Sequence, residues 1–225
     1  MNDLMLHGKK AAGWSGRIVV GWAMLFLVFW VVPSVFADSN VQSAISVLRE
    51  GDIIFQESFS AQSKAIRLAT RFPWSHCGLV LRKKNRLMVF EAAARTQYTP
   101  LETWIARGVG KRWMALRLRD SAALTREQVK GMRRVADLLV GRPYDRFFEW
   151  SDKAQYCSEL VWKVYRRGAG ITLCPLRKLG DFDLDHPVVR TTLRQRFGND
   201  IPRGEAVVAP SDLAVGRLLV LVGKS

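Results

Sequence analysis

The chain has 225 residues, with 35 Lys and Arg against 20 Asp and Glu, a formal net charge of +15 and 48% apolar residues. That length holds one ordinary domain of about 150 to 200 residues with an appendage, and two large domains would be a tight fit. The apolar content, eight tryptophans and 24% charged residues exclude disordered and collagen-like classes.

The first 37 residues read as separate from the fold. Lys9, Lys10 and Arg17 precede the uncharged run 18–32, and Val35-Phe36-Ala37 sets small residues just before Asp38. This is the pattern of a secretory signal cut after Ala37, leaving 38–225 as the mature domain. Carried on to Ala37, the uncharged run has about the length that spans a bilayer, so an uncleaved N-terminal anchor is the competing reading. Both export the remainder, to the periplasm or to a membrane surface facing it. Without residues 1–37 the chain keeps 32 basic and 19 acidic residues, a net charge of +13. In an exported protein that excess favours anionic envelope partners, including an anionic membrane surface, over nucleic acid. The basic residues come in short groups such as Arg82-Lys83-Lys84 and Arg133-Arg134, as a soluble basic surface would also have them.

From Val41 onward no linker, repeat or low-complexity tract interrupts the pattern. Gly51-Asp52 reads as a turn into a buried strand at Ile53-Ile54-Phe55. Residues 61–71 place Ala65, Ile66, Leu68 and Ala69 on one helical face, and Pro73 ends that helix. A strand begins near Ser75, and HCGLVLR and RLMVFEA flank a polar turn around Lys83, Lys84 and Asn85, a hairpin signature. Pro100 opens a short helix carrying Trp104, and residues 112–119 alternate like a strand. Thr125 and Gln128 start a helix that reaches Val140 and stops at Gly141. The loop Gly141-Arg142-Pro143-Tyr144-Asp145 leads to a helix from about Cys157 to Arg167, ended by Gly168. Residues 169–204, rich in Pro, Gly and Asp, carry no clear pattern. EAVVA then reads as a short strand, PSDLA as a turn and GRLLVLV as a final strand. Hairpin connections without regular βαβ alternation predict an α+β domain, an antiparallel sheet with helices packed on it.

Three cysteines, Cys77, Cys157 and Cys174, leave at least one thiol outside any intramolecular disulfide in an oxidising compartment, and a Cys77–Cys174 bridge stays open. No Cys-x-x-Cys or His-x-x-x-His pair supports a metal site. Cys157 opens a helix, where unpaired N–H groups and the helix dipole favour a thiolate. A small buried apolar residue is the alternative. Only His76 and His186 follow residue 37, and His186 sits in a loop without an evident partner. Glu91 is the group that could orient His76. If the hairpin pairs Arg82 with Leu87, Gly78 faces Glu91 and His76 faces Ala93, which makes His76 and Glu91 diagonal neighbours on one face. An odd-length loop would separate them. In the favourable register Cys77 points to the other side of the sheet, a structural position. Trp74, two residues before His76 in a Pro-containing loop, is the tryptophan best placed to touch substrate. Glu159 reads as complementing the helix dipole or binding an Arg, and Asp52 as capping a turn.

The blocks Gly51-Asp52-Ile53-Ile54-Phe55, Ser75-His76-Cys77-Gly78-Leu79-Val80, Val89-Phe90-Glu91-Ala92, Pro143-Tyr144-Asp145 and Tyr156-Cys157-Ser158-Glu159-Leu160-Val161, in this order, resemble the circularly permuted NlpC-like cysteine hydrolases of the YiiX/YebB group. The resemblance covers roughly residues 48–222. His76 precedes Cys157, the reverse of the papain order. It implies a permuted papain-like fold with Cys157 as nucleophile, His76 as general base and Glu91 holding the imidazole. It also implies Tyr144 near the oxyanion or substrate, against which stands a packed loop aromatic, and it requires no cofactor. Members often carry an apolar residue where this chain has Cys77. The expected activity is that of an exported cysteine hydrolase cleaving an amide, ester or thioester in a cell-wall peptide or acylated envelope component. A lipid-directed acyltransferase or thioesterase of the same fold and a non-catalytic envelope-binding protein are the alternatives.

Overall fold

The computed structural model describes residues 42, 46–119 and 124–225; the expected export signal lies outside the described residues. β1 (Ile53–Gln56) follows Gly51, whose φ of 92° makes the turn that a side chain would resist. α1 (Ser63–Thr70) ends at Arg71, which adopts a left-handed conformation and returns its N–H to the Arg67 carbonyl. β2 (His76–Lys83) and β3 (Arg86–Ala92) form the expected hairpin, with Arg82 opposite Leu87. Lys84 and Asn85 both have positive φ (47° and 62°), the two-residue turn whose twist matches the flanking strands.

β4 (Thr96–Pro100) was not expected, because TQYTP shows no apolar alternation. It becomes a strand by pairing with β3, Glu91 opposite Gln97. α2 (Leu101–Ala106) starts after Pro100 and buries Leu101, Trp104 and Ile105. β5 (Met114–Leu118) is followed by α3 (Arg126–Leu139), whose Thr125 and Gln128 cap each other reciprocally as the sequence predicts. α4 (Cys157–Ala169) runs past the predicted stop at Gly168 and ends at Gly170, which has a φ of 74°. Gly168 serves packing instead: a Cβ there would lie 2.5 Å from the Met132 Cα, and one at Gly131 would lie 2.1 Å from the Gly168 carbonyl oxygen. The two helices therefore touch backbone to backbone.

The segment without a readable pattern holds β6 (Arg177–Lys178) and α5 (Pro187–Phe197). His186 accepts a hydrogen bond from the Val188 N–H at 3.2 Å and caps α5, so it has a structural partner after all. β7 (Ala206–Val207) pairs with β6. PSDLA is a short helix, α6 (Pro210–Ala214), where a turn was expected. Pro210 occupies the first helical position and Asp212 accepts from the Ala209 N–H at 2.8 Å. β8 (Leu219–Lys224) closes the chain.

The sheet order is β4-β3-β2-β1-β5-β8, antiparallel throughout. Alternation along its strands divides the core in two. Phe55, Cys77, Leu79, Leu81 and Phe90 face α3 and α4, while Ile54, Val80 and Val89 pack with Leu101 and Trp104 of α2 on the reverse. A third cluster joins α1 and α5 through Ala65, Val189 and Leu193. At about 1.5–3 kcal/mol for each fully buried large apolar side chain, these clusters supply the drive that orders the sheet.

Candidate active site

The hairpin register fixes one half of the site. His76 and Glu91 share the α2 face of the sheet, and His76 Nε2 lies 2.7 Å from Glu91 Oε2. Gly78 makes room for them, since a Cβ there would meet Val89 Cγ1 at 2.3 Å and Glu91 Cβ at 3.4 Å. Glu91 is fully buried and accepts three further hydrogen bonds, from Thr99 Oγ1 (2.5 Å), Trp104 Nε1 (3.0 Å) and Arg107 Nη2. Burial alone would push its carboxyl up. The bond and charge of His76, then the charge of Arg107 and the Thr99 hydroxyl, overcome this and hold its pKa at about 2. Glu91 is an anion across the neutral range. Thr99, Trp104 and Arg107 were missed by sequence reasoning, because nothing local marks where β4 and α2 fold back.

Cys157 is the first residue of α4, on the opposite side of the sheet. Its position is set by its neighbours. Ser158 Oγ donates to the Val208 carbonyl at 2.7 Å, Tyr156 Oη accepts from the Val208 N–H at 3.1 Å, and Glu159 accepts from the Tyr156 N–H at 3.2 Å. His76 is the first residue of β2, at the end of the sheet, so an imidazole rooted on one face can reach toward a thiol on the other. With Nε2 on Glu91, Nδ1 is the remaining ring nitrogen, and the Cys157 thiol acts on the charge of the imidazole. Ser75 steadies this strand start by accepting from the Ser58 N–H (3.0 Å) and bonding the Ser63 hydroxyl (2.7 Å).

The thiol and imidazole shift each other. The Cys77 thiol is the largest influence holding the Cys157 pKa well below its usual value; burial opposes it, and the bond and charge of His76 assist. For His76 burial opposes the charge, but the bonds to Cys157 and Glu91 raise its pKa to about 9. Both shifts favour the thiolate–imidazolium form of the pair. Cys77 does point to the other side of the sheet from His76, as the register requires, yet that side is where α4 brings Cys157. None of the three cysteines is in a disulfide.

Tyr144 reaches the site because its backbone runs beside Gln155, just ahead of α4. Its hydroxyl accepts from Gln62 Nε2 at 2.6 Å, and Arg196 Nη2 donates to Gln62 Oε1 at 2.8 Å. This chain of polar groups lies between two spaces. A wide cleft of about 1120 Å³ is lined by His76, Arg107 and Ser75. A small apolar cavity of about 100 Å³ is lined by Cys157, Ile66, Leu193 and Val208. Trp74 lines neither space; it is partly buried and packs against the core beneath α4. Glu159 binds no Arg. It is buried in an ion pair with Lys163 at 2.7 Å. Asp52 caps the Arg49 N–H at 2.7 Å and also grips Arg117 with both oxygens.

Residues 47–222 match the model of a family described as permuted papain-like amidase enzymes, YaeF/YiiX. The chain belongs to this family. It is accordingly a cysteine hydrolase with an α+β, permuted papain-like fold, as the antiparallel sheet and packed helices bear out. Among its relatives is the uncharacterised protein YiiX of Escherichia coli, 42% identical over 174 residues, a stretch that covers 77% of this chain and 85% of that one. Among solved structures, the crystal structure of the metalloprotein YiiX from Escherichia coli O157:H7 superposes with a TM-score of 0.76 at 42% identity, covering 79% of this chain and 97% of that chain. As in the permuted order, the strand begun by His76 precedes the helix opened by Cys157.

Proposed function

We propose that this YiiX-like amidase is exported and cleaves an amide bond in a cell-envelope peptide with Cys157 as nucleophile, His76 as acid and base, and Glu91 as the anion that holds the imidazole. The observation that carries this reading is the His76 ring held 2.7 Å from the fully buried Glu91 carboxylate at the start of the strand on which the helix opened by Cys157 packs. The thiolate attacks the carbonyl carbon, and the negative charge passes to its oxygen. The Cys157 N–H, at the open first turn of α4, is the natural donor to that oxygen; such a donor is worth about 3–4 kcal/mol. His76 gives its proton to the leaving amine. It then takes a proton from water, which hydrolyses the acyl-enzyme and restores the thiolate. Glu91 keeps its charge throughout and stabilises the imidazolium.

Export is supported by the basic start and uncharged run before Asp38, and an anionic envelope partner by the net charge of +13 beyond residue 37. A second reading, transfer or hydrolysis of an acyl group from a lipid-like substrate, is favoured by the apolar cavity at Cys157. The solved relative is described as a metalloprotein. Among the described residues here, no three His, Cys, Asp or Glu side chains are grouped to ligate a metal ion, so no step is routed through one.

The test is alkylation of the purified protein with iodoacetamide at neutral pH, followed by intact mass for wild type, Cys157→Ala and His76→Ala. Rapid single labelling that Cys157→Ala abolishes and His76→Ala slows is the expected result. Equal, slow labelling of all three cysteines, unchanged by His76→Ala, would overturn the catalytic pair and favour a non-catalytic envelope-binding protein.

A further inference from the structure

The wide cleft beside His76 is basic. Its lining includes Arg107, Arg146 and Arg196 and, among the described residues, no Asp or Glu. Arg107 is committed to the Glu91 carboxylate, which balances its charge. Among the described residues neither Arg146 nor Arg196 is in an ion pair. Arg196 is nevertheless held in place: its Nη2 donates to Gln62 Oε1 at 2.8 Å, and its guanidinium carbon lies 4.8 Å from the centre of the Phe148 ring. The Phe147 ring packs on Phe197 at 5.8 Å, which sets the exposed Arg146 of the 143–148 loop beside the end of α5 that carries Arg196. Asp145, the acid next to Arg146, is buried, turns Oδ1 to the Phe147 N–H at 2.7 Å and does not line the cleft. The lining also tells which part of a substrate the cleft takes. His76 lines it and Cys157 does not, whereas Cys157 lines the small apolar cavity and His76 does not. In the proposed hydrolysis the carbonyl is attacked at Cys157 and the amine leaves with the His76 proton, so the leaving fragment lies on the cleft side.

We propose that the wide cleft selects a leaving amine that carries a carboxylate and holds that group with Arg146 and Arg196. The C-terminal fragment of a cleaved peptide has both parts, the new amine and a carboxylate. A guanidinium meets a carboxylate through paired N–H donors and is weakly hydrated, so it sheds water at low cost. A cleft with low-dielectric walls and no acid of its own concentrates that attraction on one end of the substrate. Gln62 and Phe148 fix Arg196 before the substrate arrives, which reduces the ordering that binding must impose. The proposal rests on Cys157 as nucleophile and His76 as the acid, and adds the chemistry of the fragment that departs.

The experiment compares two alkylating reagents of the same size, N-iodoacetylglycine and its neutral amide N-iodoacetylglycinamide, by the rate at which each labels Cys157, with 2-mercaptoethanol as the reference thiol. The carboxylate-to-amide rate ratio is expected to be about 10-fold higher on the protein than on the reference, and to fall as salt is raised. Arg146→Gln and Arg196→Gln should each lower that ratio by about 3-fold. Arg190→Gln, which removes the same charge from an exposed position of α5 outside the cleft, should keep it. Arg146 is exposed, so its variant decides the matter even if Arg196→Gln fails to fold. A ratio equal to that of the reference thiol, or one that the cleft variants leave unchanged, overturns the carboxylate subsite alone, provided the neutral amide still labels Cys157 selectively. A larger gain over the reference for the matching reagent N-iodoacetylaminomethylphosphonate than for the carboxylate assigns the cleft to phosphate groups and also overturns it. Absence of selective Cys157 labelling by any of the reagents overturns the nucleophile reading together with the proposal.

Discussion

Glu91 and Glu159 are both fully buried, each near one end of the same site, yet their carboxyls move in opposite directions: Glu91 is held at about 2 and Glu159 is raised to about 7. Burial pushes both up. What separates them is the company each keeps. Glu91 receives four donors, two of them on His76 and Arg107, which carry or can carry positive charge. Glu159 has the Lys163 ammonium and the Tyr156 N–H, and Lys163 is shared with the Ser151 carbonyl at 2.5 Å and Asp152 at 2.9 Å. A buried carboxylate is thus a reliable anion when its donors outnumber its desolvation, and Glu91 meets that condition beside the imidazole, where a constant charge is useful.

The largest break in this comparison is Glu91→Ala, which strands the Trp104 N–H and the Arg107 guanidinium together. Unfolding by urea should show a loss of about 3–5 kcal/mol, nearer the lower figure because solvent partly screens Arg107, 36% exposed. His76→Ala leaves Glu91 its other donors and removes the partner of the thiolate. Iodoacetamide labelling of Cys157 at pH 7 should slow by about 100-fold, the low end for a proton-transfer group. The wild-type pH profile follows from the same pair. Hydrolysis needs the imidazolium, so it should fall as pH rises through about 9, while its acid limb lies below the usual range of a thiol, where the thiolate is lost.

Glu159→Gln, which leaves Lys163 with Ser151 and Asp152, should change stability by less than about 1 kcal/mol at pH 5, where the Glu159 carboxyl is protonated as well. It should also change the pH dependence of stability. Because the folded pKa of Glu159, about 7, lies above its usual value of 4.5, its contribution is complete below 4.5 and is lost as pH rises through 7. Glu91 does the reverse: its contribution is present above 4.5 and disappears as pH falls toward 2. Urea midpoints measured between pH 5 and 8 should therefore decline in wild type and flatten in Glu159→Gln. The smallest change around Glu91 is Thr99→Val. It removes one of the four donors to Glu91 while preserving a strand-forming shape, and about 1 kcal/mol of stability should be lost.

Local pattern and resemblance made the central part of the site legible. Alternation along residues 76–92 and a polar turn at Lys84-Asn85 determined the hairpin, and the hairpin's period of two put His76 and Glu91 on one face. The capping pair Thr125 and Gln128, the short helix after Pro100 and the helix opening at Cys157 were equally local, so the sequence by itself contained them. Tertiary structure decided the rest. β4 is a strand because β3 pairs with it, which its own residues do not announce, and Gly168 stays helical because the backbone of α3 presses on it. Which donors surround Glu91 depends on where α2 folds back. That Cys77 meets Cys157 depends on which face of the sheet α4 covers. Period and propensity tell which residues share a face; only packing tells what that face is pressed against, since hydrophobic burial rewards any apolar cover and does not specify one.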